Sequence, residues 1–243
     1  MAGDRSRGAR WSGVGRVLLV AALLPLTSLA NARLQGVRAA RAADVARLLA
    51  SAGVNGRVDT VYLRAFKEER LVELWAGGAT GPLSLVKAYP ICAASGELGP
   101  KRREGDLQVP EGLYDIVEFN PASNFHLSMK VSYPNASDRL RSDPKRPGDL
   151  IYLHGSCASI GCIAIEDGPI EEVFLIASGS RARPRIDVFP ARLTAAWLAA
   201  HASAPHAGFW AELAPAFAWF ERTRRPAPFS VDQTGAYRVS KSR

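Results

Sequence analysis

The chain has 243 residues, 47% of them apolar and 22% charged, with a formal net charge of +8 and a mean hydropathy near zero. This is the profile of a globular protein with a sizeable core, and it excludes a disordered polymer and a multi-span membrane protein. No Lys/Arg block is interleaved with aromatics, which sets nucleic acid aside as a partner; an acidic cell-wall polymer, an anionic membrane surface or plain solubility remain as reasons for the charge.

Residues 1–32 read as a signal peptide for simple secretory export. Arg5, Arg7, Arg10 and Arg16 precede the apolar run 17–30, and Ala30-Asn31-Ala32 offers small residues for cleavage after Ala32. The alternative is an uncleaved N-terminal anchor, against which Pro25 and the shortness of the run both argue. Residues 1–32 carry four arginines and one aspartate, so their removal lowers the net charge from +8 to +5. No stable membrane span is expected after cleavage. Export also places Cys92, Cys157 and Cys162 in an oxidising compartment, where an odd count leaves at least one thiol after any intrachain pairing.

Residues 33–56 form an N-terminal helical segment, with Val45, Leu48 and Leu49 at helical spacing and Gly53 and Gly56 as its stop. Two β-prone runs, 60–66 and 70–75, flank Lys67-Glu68-Glu69 as a hairpin, and 83–89 predicts a third strand. The stretch 95–110 is irregular and rich in Gly, Pro and charge, a texture that carries function more often than packing. Strands are expected at 113–119 and at 125–133, where Phe125, Leu127, Met129 and Val131 alternate with His126, Ser128, Lys130 and Ser132. A basic loop at 134–148 leads to a short strand at 150–153. A helix at 169–177 and a strand at 185–189 complete a domain spanning 57–190.

Beyond Pro190 the composition turns to alanine and aromatics. Helices are expected at 193–201 and 209–220, the second with Phe209, Leu213, Phe217 and Phe220 on one face and a kink or break at Pro215. This C-terminal helical extension covers 191–225, and the basic tail 226–243 is expected to be poorly ordered. The pattern predicts a mainly β fold with α (α+β), one domain decorated by helices at both ends.

Chemistry is concentrated in residues 153–167, LHGSCASIGCIAIED. A thiol is weakly ionised near neutral pH and needs a base, and His154 is the histidine nearest the cysteines. A strand end followed by a glycine-containing turn can bring His154 back against Cys162. Gly161 lets a substrate carbonyl approach the backbone, so that the amides of Gly161 and Cys162 can form an oxyanion hole. Ser159 is a candidate to orient the imidazole or the substrate, or else an exposed turn residue. A metal site on His154, Cys157 and Cys162 lacks a fourth ligand and the paired spacing zinc uses. A Cys157 to Cys162 disulfide, or two buried structural cysteines, remains open on spacing alone.

His154-Gly155-Ser156-Cys157 followed by Ser159-Ile160-Gly161-Cys162-Ile163 resembles the signature of the L,D-transpeptidase (YkuD-like) catalytic domain family. The likeness is closer to its YafK-like branch in Gram-negative bacteria. Residues 90–114, PICAASGELGPKRREGDLQVPEGLY, and 125–139, FHLSMKVSYPNASDR, resemble that branch too, so the likeness covers roughly residues 62–188.

The resemblance implies a β-sandwich-like core with peripheral helices and a periplasmic enzyme acting on peptidoglycan stem peptides, with no cofactor and no metal. It implies that Cys162 attacks the carbonyl of the diamino acid at the third stem position, expels the part of the stem beyond it and holds an acyl thioester. His154 is then base and later acid, and an amine (transpeptidation) or water (hydrolysis) resolves the thioester. A hydrolase of this mechanism would trim stem peptides or free a wall-linked lipoprotein. A wall-binding module without catalysis is the rival of another class.

One departure concerns substrate recognition. Many members carry an arginine two residues after the cysteine, where this chain has Ala164. Lys101 and Arg102 in the long loop are the candidates to meet the substrate's carboxylates instead, beside the alternative that they are a solvated charge run. Cys92 and Cys157, each following a strand, are expected to pair and leave Cys162 free.

Overall fold

The computed structural model describes the backbone of residues 26–240 and the side chains of residues 31–240. Helix α1 (Leu26–Ser51) leads into strands β1 (Thr60–Phe66), β2 (Leu71–Gly77) and β3 (Ser84–Pro90). After the irregular stretch come β4 (Gly112–Asn120), β5 (Ser128–Val131), α2 (Ala136–Arg141), β6 (Tyr152–His154) and β7 (Ile163–Ala164). Helix α3 (Asp167–Ser178) returns the chain to β8 (Arg185–Phe189). Helices α4 (Ala195–Ala200) and α5 (Ala207–Thr223) and the hairpin of β9 (Phe229–Val231) and β10 (Tyr237–Val239) complete the chain.

Strands β1 to β8 make one mixed sheet in the order β3-β2-β1-β8-β4-β5-β6-β7. The mainly β core with peripheral helices takes the form of a half-barrel. The centre of the sheet is β8, parallel to β1 and antiparallel to β4.

Side chains alternate across a strand, so a central strand buried on both faces needs two apolar covers. Val61, Leu63 and Ala65 of β1 pack with Ile186 and Val188 of β8, with Val37 of α1 and with Ile170, Val173 and Phe174 of α3. Phe66 and Phe189 point the other way, onto Phe209, Trp210, Leu213 and Phe217 of α5. The aromatic face of the C-terminal extension therefore completes the core.

The C-terminal extension also holds the irregular stretch that precedes β4. The buried carboxylate of Glu111 accepts the Trp210 indole N–H at 2.7 Å and the Gly99 amide at 2.6 Å, and pairs with the Lys67 ammonium at 2.9 Å. Gly99, at φ +135°, lies so close to the His206 ring that a Cβ there would sit 2.5 Å from it. Lys67 further donates to the carbonyls of Gly99 and Val109.

Several expectations need correction. Pro215 does not split α5, which runs unbroken from Ala207 to Thr223 because buried aromatics grip it on both sides of the proline. The described part of the basic tail, residues 226–240, is ordered: β9 and β10 pair, and the Tyr237 hydroxyl, buried, receives the Asn135 side-chain amide at 2.8 Å. The strand expected at 125–133 shrinks to Ser128–Val131, because residues 121–127 form a loop with His126 at φ +67°.

The export reading falls mainly on residues 1–25, outside the described residues, while α1 runs through the expected cut at Ala32. Among the described residues no helix is long and apolar enough to cross a membrane.

Candidate active site

The site lies at the β5-β6-β7 end of the sheet. β6 pairs with β5 through Ser128 and His154, and runs parallel to β7 with Leu153 opposite Ile163 and His154 opposite Ala164. Leu153 and Ile163 are core residues, so alternation sends His154 to the opposite face. Cys162, one residue before Ile163, faces as His154 does, one diagonal step along the strand pair. Both line a cleft of about 480 Å³, together with Asn120, Asn124, Phe125, Ser128, Leu150, Tyr152, Ser159 and Ile160.

His154 is only 2% exposed. Its Nδ1 is 2.6 Å from the carbonyl oxygen of Gly155, which accepts but cannot donate, so Nδ1 carries the proton and Nε2 is the basic nitrogen. The ring of Phe125 lies over the imidazole, 4.6 Å between centroids. Burial pulls the imidazole below its ordinary value, opposed by the hydrogen bond to Gly155. At neutral pH His154 is therefore a neutral base.

Cys162 is a free, half-buried cysteine whose Sγ lies 3.6 Å from the carbonyl oxygen of Leu150. Burial pushes the thiol up, while the Tyr152 backbone N–H and the positive charge of Lys101 pull it down. At rest the cleft thus holds a thiol and a neutral imidazole. Cys92 and Cys157 form a disulfide with Cα atoms 5.5 Å apart, tying the end of β3 to the loop that carries the nucleophile candidate.

Glycine is required at two places in the loop. At Gly155 a Cβ would meet Asp167 Oδ1 at 2.6 Å, Ile170 Cγ2 at 2.9 Å and the Phe125 carbonyl oxygen at 2.9 Å. Asp167 fastens the next residue, accepting the Ser156 amide at 2.8 Å. Gly161 adopts φ +127°, a region closed to L side chains, with the Gln108 carbonyl against it.

Ser159 does not reach the imidazole. Its hydroxyl donates to the Cys162 carbonyl at 2.7 Å and accepts the Gly161 amide at 3.2 Å, which braces the 159–162 turn. At rest one of the two expected oxyanion donors, the Gly161 N–H, is therefore occupied.

Lys101 and Arg102 stand apart from the cleft lining. Lys101 is 4% exposed, and its ammonium is committed to Asp106 at 2.5 Å and to the Arg103 carbonyl at 2.9 Å. Its candidacy as a contact for a substrate carboxylate would require that resting pairing to be exchanged. Arg102 stacks over Phe209, 5.2 Å from the ring centroid, and lies 4.0 Å from Asp138. Ala164 is fully buried, with its N–H on the Ala93 carbonyl and its own carbonyl taking the Cys92 amide.

The sequence reading missed Phe125, Tyr152 and the polar wall of Asn120, Asn124 and Ser128. Phe125 sat inside an apparent strand alternation, and nothing local marks a neutral Asn or Ser as cleft-lining. Leu150 and Ile160, 61% and 81% exposed, form an apolar lip. Leu150 takes φ +58°, unusual for a non-glycine and uncostly only where the surroundings hold it.

Residues 60–180 match the L,D-transpeptidase catalytic domain of the YkuD family. The chain is 35% identical over 187 residues to the YafK protein of Escherichia coli (strain K12), covering 74% of each. Among solved structures it is similar to Pgp2, the helical cell shape determining protein of Campylobacter jejuni, with 20% identity and a TM-score of 0.44 over 59% of this chain and 54% of that one. It is also similar to Bd1075 of Bdellovibrio bacteriovorus, with 21% identity and a TM-score of 0.40 over 55% and 49%. The chain thus spans about half the length of these solved structures.

Proposed function

The chain belongs to the YkuD family of L,D-transpeptidase catalytic domains, and on that premise we propose an exported, periplasmic cysteine acyl-transferase that acts on peptidoglycan stem peptides through a thioester on Cys162. The observation that carries this reading is the division of the three cysteines. Two are joined as Cys92–Cys157, and the third stands free in a cleft it shares with His154, whose Nε2 is unprotonated.

In the proposed reaction His154 Nε2 takes the Cys162 proton as sulfur attacks the carbonyl of the third stem residue. The tetrahedral oxyanion meets the amides of Cys162 and Gly161, the latter leaving the Ser159 hydroxyl. Collapse breaks the amide bond, and the imidazolium returns the proton to the departing amine. The thioester then waits for its second nucleophile. An amine gives a cross-link and water gives hydrolysis; in both cases His154 takes the incoming proton and passes it to the departing thiolate.

The neutral polar wall of Asn120, Asn124 and Ser128, with the apolar lip of Leu150 and Ile160, is the surface on which the stem peptide would lie. A hydrolytic variant that trims stem peptides or releases a wall-linked lipoprotein uses the same residues. Incubation with purified peptidoglycan, with and without attached lipoprotein, and identification of the soluble products test the proposal. New cross-links mark a transpeptidase, shortened stems or freed lipoprotein mark a hydrolase, and unchanged peptidoglycan that retains the protein marks a binding module and defeats the proposal.

A further inference from the structure

The wall of the cleft above His154 is the loop 121–127 between β4 and β5, and α1 holds it from outside. Arg33 Nη1 donates to three backbone carbonyls of this loop, those of Ser123 at 2.9 Å, His126 at 3.0 Å and Pro121 at 3.4 Å. A second tie lies about two turns further along the same helix. Arg41 Nε meets one oxygen of Glu171 at 2.6 Å, and the other oxygen of Glu171 lies 2.8 Å from His126 Nε2.

The loop needs such ties. His126 is held at φ +67°, and the carbonyls of Pro121, Ser123 and His126 lie outside the strand ladder that would pair them. Inside the loop the links are short-range: Ser123 Oγ takes the Phe125 amide, and Asn120 takes the Ala122 amide. On the inner side the Leu127 carbonyl takes the Gly155 amide, and the Phe125 carbonyl presses against Gly155. The loop therefore bridges Arg33 outside and the histidine segment inside, and Phe125 on it covers the imidazole.

Helix α1 lies ahead of the residues that match the family. We propose that α1 is nevertheless part of the catalytic unit, with Arg33 a positioning residue that fixes the loop 121–127 so that Phe125 covers His154. The inference rests on the reading of His154 and Cys162 as the reacting pair. A charged Nη1 converging on three carbonyls makes charge-assisted hydrogen bonds at the reach of the arginine stem, which the shorter lysine side chain reproduces only in part. Arg33 is exposed, so its effect is on the loop and not on global stability. Cleavage after Ala32 would leave Arg33 as the first residue, and a cut a few residues later would remove it.

The test uses the full chain with Arg33→Ala and Arg33→Lys, and Arg38→Ala, an exposed arginine of the same helix, as the control. Two quantities are read, amide hydrogen exchange over 121–127 and the rate of Cys162 acylation by a stem tetrapeptide. For Arg33→Ala we expect loop exchange to rise and acylation to fall, each about tenfold, at an unchanged thermal midpoint. Arg33→Lys should restore part of both, and Arg38→Ala should match the parent. Loop exchange and acylation in Arg33→Ala equal to the parent would overturn the proposal, as would loss confined to the thermal midpoint. If the parent itself is never acylated, the catalytic reading fails, while the exchange measurement still decides whether Arg33 holds the loop.

Discussion

The Nδ1 proton of His154 rests on the carbonyl oxygen of Gly155, 2.6 Å away, and this single bond assigns Nε2 to the cleft. Because burial lowers the imidazole, its neutral form persists below the ordinary value of about 6.5. The acid limb of Cys162 acylation should therefore have its midpoint below pH 6.5. Phe125→Ala, which lets water reach the ring, should move that limb upward. A pH profile with a carbapenem as acylating agent checks both, and a limb above 6.5 in the parent would contradict the assignment.

Gly155 has no space for a methyl group, since two of the three atoms it would strike belong to a fixed backbone and a buried isoleucine. Gly155→Ala should cost about 1–3 kcal/mol of stability through overpacking and should displace the imidazole with it. Denaturant unfolding measures the first effect and Cys162 acylation the second.

The Cys92–Cys157 disulfide closes a loop of 65 residues. In the chain-entropy account such a closure contributes about 4 kcal/mol. Replacing both cysteines by serine should lower stability by that order and leave one titratable thiol, whereas the parent should already show one thiol when unfolded without reductant. Three thiols in the parent would contradict the pairing.

Much of the sheet was legible because its signals are local. β-prone runs located β1, β2, β3 and β8 to within a residue or two, and the HG and GC pairs mark the candidate site because glycine is demanded there by close approach at Gly155 and by φ at Gly161. The features that stayed hidden depend on partners far along the chain. Tyr237 orders the tail through Asn135, 102 residues away, and Arg33 acts on carbonyls about 90 residues away. No periodicity records such pairings. The burial of Lys101 was hidden because a charged residue in a glycine-rich loop reads as exposed, while here Asp106 pairs with it.

Glu111 links Lys67, Gly99 and Trp210 at the base of the long loop. Glu111→Ala leaves the buried Lys67 ammonium without its counter-charge, held only by the Gly99 and Val109 carbonyls, and the Trp210 indole N–H without a partner, and should cost about 3–5 kcal/mol. The backbone of 107–108, which backs Gly161, should loosen with it. Thermal unfolding and amide exchange over 95–110 would show this, and a silent substitution would dismiss the role of the C-terminal helices in bracing the loop.

Trapping the acyl-enzyme tests the central claim most directly. The protein is mixed with a stem tetrapeptide, quenched in acid within the first turnover and mapped by peptide mass. The account predicts that the fragment containing Cys162 gains the mass of the acyl tripeptide, that the fourth residue is released, and that Cys162→Ser abolishes both. Release of the fourth residue by Cys162→Ser at the parent rate, or an adduct on any other residue, would contradict it.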